Sequence, residues 1–419
     1  MNELLNELAW RGLIADSTDL DALEAHLDAG SITSYVGFDP TAPSLHMGNL
    51  VQLMLVRHLQ AAGHKPLLLV GGSTGLIGDP KATGERVLNP VEVVEGWVGR
   101  IRDQVSRFVS FEGTNAAEVV NNFDWTTGLS TLDYLRDVGK YFTINRMLAR
   151  DVVASRLESG ISYTEFSYVL LQALDYRELF RSHHCTLQTG ASDQWGNITA
   201  GVELIRRSEG ARVHGLVTPL ITKADGTKFG KTESGTVWLD PEMTSPYAFH
   251  QFFLNSEDAK VIEYLKVFSP RSREEIDELE RQTREAPHLR AAQKALADDI
   301  TDLVHSVAER EAAVAAAQAI FGRGDLASLS AHVLDAVAAE VGAATLPPGE
   351  LPTVVDALAM SGVVASKSAG RRAIDEGGAY VNNVKVTDAD RRLEPGDFLH
   401  SAVVLLRRGK RTVGALRLG

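Results

Sequence analysis

Short apolar runs and longer amphipathic stretches take turns along the first 235 residues. "YVGFD" (35–39), "PLLLVGG" (66–72), "AEVVNN" (117–122), "CTLQTGA" (185–191) and "HGLVTPLIT" (214–222) are rich in β-branched and apolar residues and are bounded by Gly, Pro or Asn, the pattern of strands. Between them, "LHMGNLVQLMLVRHLQAAG", "VEVVEGWVGRIRDQVSRFV", "SYTEFSYVLLQALDY" and "DQWGNITAGVELIRRS" repeat their apolar positions with helical period. Such alternation predicts an α/β, Rossmann-like domain with a doubly wound, mostly parallel sheet over residues 1–235. Its ligands would bind at the carboxyl ends of the strands, where loops and helix N-termini gather. Strand signals then vanish, and the charged, Ala-rich stretch 236–342 predicts a helical domain. Three prolines in "AATLPPGELPTV" make 343–351 the expected linker. Beyond it, 352–419 predicts a small α+β domain with hairpin turns at "GG", "NN" and "PGD".

With 419 residues, 44% hydrophobic and 23% charged, the chain has the composition of a folded soluble protein of two or three domains. No apolar run approaches the roughly 18 residues of a membrane span, and the first residues alternate acids with apolar side chains, unlike a secretory leader. A cytoplasmic protein with no membrane partner is expected. The single cysteine, Cys185, excludes an internal disulfide and fits a reducing compartment. His183, His184 and Cys185 lack a second ligand pair at a familiar spacing, so no protein-held metal is expected. The net charge of −13 argues against a nucleic-acid partner until its distribution is considered. Residues 361–419 carry 11 Lys and Arg against 6 Asp and Glu, a balance of +5 that leaves −18 for the rest. That asymmetry suits a polyanion-binding appendage, although a solvated basic surface would look the same.

Five stretches could carry chemistry. In "YVGFDPTAPSLHMGNL" a helix beginning near 44–46 turns unpaired N–H groups and the positive end of its dipole outward, as an anion site requires. His46 and Asn49, three apart, could both donate toward a phosphate, and Gly48 leaves room between them. In "VGGSTGLIGDPKATGERV" the glycines 72, 75 and 78 miss the dinucleotide spacing, while Asp79 would repel a diphosphate and suits an ammonium group. Lys81 and Arg86 lie just beyond and could reach a phosphate. "TKADGTKFGKTESGT" ends on a phosphate-loop triplet, but Asp225 stands where that motif needs glycine; what remains is a loop whose Lys228 and Lys231 can grip a polyphosphate. On a helix, Tyr168, Gln172 and Asp175 form a polar stripe suited to a buried polar ligand. Gln188, Asp193 and Gln194 gather at the end of a further strand. Singly, the helix start and the buried polar residues read more readily as an ordinary helix start and satisfied buried groups, and the two loops as readily as plain surface loops.

Taken in order, "YVGFDPTAPSLHMGN", "GGSTGLIGDP", "FSYVLLQALDY", "LQTGASDQWGNITAG" and "TKADGTKFGKTESG" resemble the bacterial tyrosyl-tRNA synthetases, a class I family. The tail stretch "VASKSAGRRAIDEGGAYVNN" is similar to a small RNA-binding fold shared with a ribosomal small-subunit protein. The resemblance implies that ATP and L-tyrosine give tyrosyl-adenylate and pyrophosphate, and that tyrosine then moves to the terminal adenosine of its tRNA. Mg2+ is expected with ATP, and a homodimer with an interface in 123–150. "HMGN" and "KFGKT" occupy the family's HIGH and KMSKS signatures, implying catalytic roles for His46, Asn49, Lys228, Lys231 and Thr232. Asn49 departs from a second His, and Phe229, Gly230 and Thr232 from Met, Ser and Ser. The match assigns the tyrosine ammonium to Asp79, Tyr168 and Gln172 and its phenol to Tyr35 and Asp175. Gly37, Asp39, Gly48, Gln188, Gly190, Asp193 and Gln194, with Arg86 and Lys231, would line the ATP and adenylate side. Lys367, Arg371, Arg372, Arg407 and Arg408 would face RNA. A tryptophanyl relative, or a non-catalytic RNA binder, would be the alternatives.

Overall fold

The computed structural model describes residues 2–419 apart from 81–83, 85–87, 233, 234, 323, 348, 410 and 411. Arg86 and Lys81 therefore lie outside the described residues. The chain divides into two compact units, one of residues 1–243 and 257–292, the other of 244–256 and 293–419.

The first unit is built on a sheet of β1 (Thr33–Phe38), β2 (Lys65–Val70), β3 (Glu118–Asn121), β4 (Cys185–Ala191) and β5 (His214–Thr218), crossed by helices α1 (Met47–Ala61), α2 (Val91–Val105), α3 (Tyr163–His183) and α4 (Trp195–Ser208). These five strands are parallel, in the order β5-β4-β1-β2-β3, and Asp16–Ser17 adds an antiparallel edge beside β5. The near-continuous apolar reading of β2 follows from burial on both faces: Leu67, Leu68, Leu69 and Val70 are all buried. From β1 the chain winds outward through β2 and β3, then returns to place β4 on the opposite side. The order thus reverses between β1 and β4, where a doubly wound sheet opens a crevice. Tyr35 of β1 stands beside Gln188 of β4 across that gap.

In the second unit, α5 (Pro246–Leu254), α6 (Val307–Ile320) and α7 (Ala331–Glu340) share one apolar core with β8 (Val403–Arg408) and β9 (Thr412–Leu418), through Ala316, Ile320, Leu334, Val337, Val403, Leu405 and Ala415. The strands β6 (Ala344–Leu346), β7 (Ala379–Val381), β8 and β9 and the pair Val384–Lys385 form a second sheet, and the helix α8 (Lys367–Asp375) contacts β7.

This division cuts across the ranges 236–342 and 343–351 expected as a helical domain and a linker. Residues 257–292 belong with the sheet unit because Arg11 donates to the carbonyls of Lys266, Ser269 and Arg271, at 2.8–2.9 Å, and Tyr264 to that of Thr222. Within the expected linker, β6 pairs in parallel with Leu416–Leu418. Its prolines deny helix but not an edge strand.

Candidate active site

A cavity of about 400 Å3 opens at the carboxyl ends of β1 and β4. Sixteen of the residues expected there line it: Tyr35, Gly37, Asp39, His46, Gly48, Asn49, Asp79, Tyr168, Gln172, Asp175, Gln188, Gly190, Asp193, Gln194, Lys228 and Lys231. Thr232 does not; its hydroxyl donates to the Gly235 carbonyl and closes a short hairpin.

The inner end is acidic and buried. Helix α3 starts firmly because Ser162 caps the Glu165 N–H, and its spacing of four and three turns Tyr168, Gln172 and Asp175 to the cavity. Asp175 is 1% exposed and accepts from Trp125 Nε1 at 2.8 Å and Asn122 Nδ2 at 3.1 Å. Burial pushes its carboxyl up to about 8, outweighing the two donors that favour the charge. Tyr35 is equally buried; burial and the nearby Asp175 hold its phenol well above the ordinary range. The Tyr35 hydroxyl has no hydrogen-bond partner among the described residues, and neither has Oε1 of Gln172 or of Gln188. Buried polar atoms left unpartnered on residues that line the cavity are costly, and the Tyr35 hydroxyl and Gln172 Oε1 point to a polar ligand.

Asp79 takes Gln194 Nε2 at 2.9 Å and Asn197 Nδ2 at 3.2 Å. Asp39, expected beside the adenylate, is engaged within the wall: Tyr168 donates to one carboxylate oxygen and Thr74 to the other, both at 2.6 Å. The Tyr168 hydroxyl is thus a donor to Asp39 first, with its oxygen left to accept from an ammonium group. Burial and Asp39 raise its pKa well above the ordinary phenol value.

The outer end is cationic. His46 is the N-cap of α1, one position before its first turn. Its Nδ1 accepts the Gly48 N–H at 3.1 Å, while Asn49 Oδ1 accepts the His46 N–H at 3.0 Å, a reciprocal capping box. An accepting Nδ1 fixes the neutral tautomer with its proton on Nε2. Burial and the Lys231 charge lower the imidazole pKa, favouring that neutral form. Gly48 makes room for this ring: a Cβ there would lie 3.0 Å from His46 Cε1.

The lysine loop is pinned between its two cations. Phe229 stacks on Tyr264 and Phe268, with centroids at 4.1 and 5.8 Å. Gly230, at φ +90°, sits so close to α1 that a Cβ would come within 2.5 Å of Met47 Cβ. The segment behind both elements joins them, Val237 N–H to the Gly230 carbonyl and Leu239 N–H to that of Leu45, each at 2.9 Å. Asp193, whose carboxyl burial raises and Lys228 lowers, faces the same cavity.

Sequence reasoning missed Asn122, Trp125, Thr74 and Asn197. The one available signal was the "NN" closing β3, a polar pair at a strand's carboxyl end.

Among the expected RNA-facing residues, Lys367 pairs with Asp356 at 2.7 Å and Arg371 with Asp390 at 3.0 Å, while Arg372 and Arg408 are exposed. Arg407 is 9% exposed, lies 4.0 Å over the Tyr380 ring and donates to Asn383 Oδ1.

Residues 27–322 match the family model described as tRNA synthetases class I (W and Y), and residues 334–413 the tyrosine–tRNA ligase SYY-like C-terminal domain. The chain is 69% identical over 416 residues to the tyrosine–tRNA ligase of Cutibacterium acnes, covering 99% of this chain and 100% of that one. It is 56% identical over 421 residues to that of Streptomyces coelicolor, covering 100% and 99%. Among solved structures it is similar to a C-terminally truncated mitochondrial tyrosyl-tRNA synthetase of Aspergillus nidulans, with TM-score 0.68 and 30% identity over 75% of this chain and 92% of that one.

Proposed function

From the premise that this chain belongs to the bacterial tyrosyl-tRNA synthetases, a class I family, we propose which residues of the cavity carry each part of the reaction. The protein is a tyrosine–tRNA ligase that uses ATP. A carboxylate oxygen of L-tyrosine attacks the α-phosphorus of ATP, the bond from that phosphorus to the bridging oxygen breaks, and pyrophosphate leaves. A hydroxyl of the terminal adenosine of tRNA then attacks the acyl carbon of the adenylate and AMP leaves.

The nucleophile is already an anion at neutral pH, so the protein need only orient the reactants and stabilise charge growing on the phosphates. At the inner end the substrate phenol meets Tyr35 and Asp175, and its ammonium meets Asp79, Tyr168 and Gln172. His46 Nε2–H, the amide donors of Asn49 and the ammonium heads of Lys228 and Lys231 face the triphosphate. Mg2+ enters as part of the ATP substrate and shields its polyphosphate. Gly37, Gly190, Gln188, Asp193 and Gln194 line the adenylate between these ends.

The observation that carries this reading is the buried Tyr35 hydroxyl without a partner, beside an Asp175 carboxyl that Trp125 and Asn122 hold in place. A phenol hydroxyl satisfies both, donating to one and accepting from the other. An indole could donate to Asp175 but would leave Tyr35 unpaired, which disfavours tryptophan.

Exposed Leu132, Leu135 and Ile144 in 123–150 support a homodimer through that stretch. Arg371, Arg372, Arg408 and Lys367 in the second unit are offered to tRNA. No described helix is long and apolar enough to cross a membrane, which accords with a cytoplasmic setting. Tyrosine-dependent exchange of labelled pyrophosphate into ATP tests the central reading. Exchange with tryptophan in place of tyrosine would overturn the substrate, and absence with every amino acid would overturn catalysis.

A further inference from the structure

Asp79 is held by a relay of amides that is anchored from outside the cavity. The Arg150 guanidinium donates from Nη2 to Asn197 Oδ1. Asn197 Nδ2 then donates to Asp79 Oδ1 at 3.2 Å and to Gln194 Oε1 at 2.9 Å, and Gln194 Nε2 donates to Asp79 Oδ2 at 2.9 Å. Arg150 lies just after a short helix, Ile144–Leu148, and does not line the cavity, while Asn197 is 2% exposed.

An amide can present either its oxygen or its nitrogen, but a guanidinium only donates. With Arg150 present, Asn197 must turn its oxygen outward and its nitrogen to Asp79. That choice leaves Gln194 to offer its oxygen to Asn197 and its nitrogen to the other carboxylate oxygen. Without Arg150, the Asn197 oxygen loses its donor and nothing anchors the outer end of the amide, so Asn197 can swing on its χ angles and Asp79 loses alignment. Gly196 permits the approach: a Cβ there would lie 3.3 Å from Arg150 Nη2 and 3.4 Å from Nε.

The geometry assigns Arg150 as a positioning residue for amino-acid recognition, acting through Asn197 and Gln194 to aim Asp79 at the substrate ammonium. The assignment rests on the reading of Asp79 as the ammonium partner. It explains why a cation is placed outside the wall, where it cannot touch the substrate it helps to bind.

Three ligands separate this role from general support of the fold: L-tyrosine, tyramine, which keeps the ammonium, and 3-(4-hydroxyphenyl)propionate, which lacks it. Dissociation constants are measured for the full-length protein and for Arg150→Met, Arg150→Lys, Gly196→Ala and Asp79→Asn. Arg150→Met should weaken tyrosine and tyramine about tenfold, the scale of one misaligned charge-assisted bond, and leave the propionate unchanged. Its KM for tyrosine in pyrophosphate exchange should rise with kcat kept within about twofold. Arg150→Lys, which still only donates, should restore most of the loss, and Gly196→Ala should reproduce it in weaker form by displacing the guanidinium. Equal weakening of all three ligands, or no change in any, would overturn the role of Arg150, and Gly196→Ala decides the matter if Arg150→Met does not fold. If Asp79→Asn also fails to discriminate tyramine from the propionate, the reading of Asp79 falls instead.

Discussion

Removing one oxygen atom, in Tyr35→Phe, should push stability and recognition in opposite directions. The Tyr35 side chain is 1% exposed, its ring packs 5.2 Å from that of Tyr176, and its hydroxyl has no hydrogen-bond partner among the described residues. Phenylalanine keeps the ring packing and removes only the unpaired group. A buried hydroxyl without a partner costs about 1–3 kcal/mol, so the tyrosine-free variant should gain about 1 kcal/mol and melt roughly 2–4 °C higher. With tyrosine bound, the same deletion removes a neutral hydrogen bond of about 0.5–1.5 kcal/mol, raising KM about 2- to 12-fold. Phenylalanine never makes that bond, so the preference for tyrosine over phenylalanine should fall by the same factor. Calorimetric unfolding with and without saturating tyrosine reads the first effect, because the ligand's stabilisation must shrink while the free protein's stability rises. Pyrophosphate exchange with each amino acid reads the second. A variant that melts lower without ligand and keeps its discrimination would refute both the unpaired hydroxyl and its pairing with the substrate.

The Asp175 carboxyl, raised to about 8 by burial, keeps a proton that the unfolded chain loses near pH 4. The unfolded state therefore binds fewer protons between about pH 4 and 8, and stability declines across that window as pH rises. Asp175→Asn should gain on the parent by a few kcal/mol, roughly, from pH 4.5 to 8 in urea unfolding without tyrosine, while losing tyrosine binding; parallel pH profiles would contradict the buried acid. Gly230→Ala forces a side chain to φ +90° and into Met47, and should cost about 1–3 kcal/mol and lower kcat, with an unchanged melting curve counting against the packing. Reversing the charge of exposed Arg371 and Arg372 to Glu should leave pyrophosphate exchange intact while raising the KM for tRNA and flattening its salt dependence. Unchanged aminoacylation kinetics would remove α8 from the RNA surface.

What the sequence made legible was local. The alternation of period-two and helical segments predicted the parallel sheet because a doubly wound fold repeats that unit along the chain. Tyr168, Gln172 and Asp175 were readable as one group because a single helix carries all three on one face. The supports of those groups were not readable. Asn122 and Trp125 reach Asp175 from 53 and 50 residues away, and Asn197 reaches Asp79 from 118. No spacing rule links such positions, and Trp125 falls within the 123–150 stretch expected at a dimer interface. The division into units was illegible for the same reason. Residues 245–342 show amphipathic helices throughout, and such a pattern says which face is apolar without saying which core receives it. Arg11 and Tyr264 bind the stretch 257–292 to the sheet unit, whereas Ala316 and Ile320 pack with Val403 and Leu405.

The departures from the family's signatures have physical grounds in the same geometry. At position 49 the cap requires an acceptor for the His46 N–H, and a neutral amide supplies it while keeping two donors for phosphate. A cation at that position could not accept. In the lysine loop, a serine in place of Gly230 would bring a Cβ into Met47, the residue that follows the capping histidine. Phe229 replaces a flexible methionine by a ring fixed between Tyr264 and Phe268. The helix start and the loop are therefore registered against each other by close apolar contact, which does not weaken when phosphate charge arrives or leaves. Under the role proposed for Lys228 and Lys231, their long stems can follow pyrophosphate outward without breaking that contact.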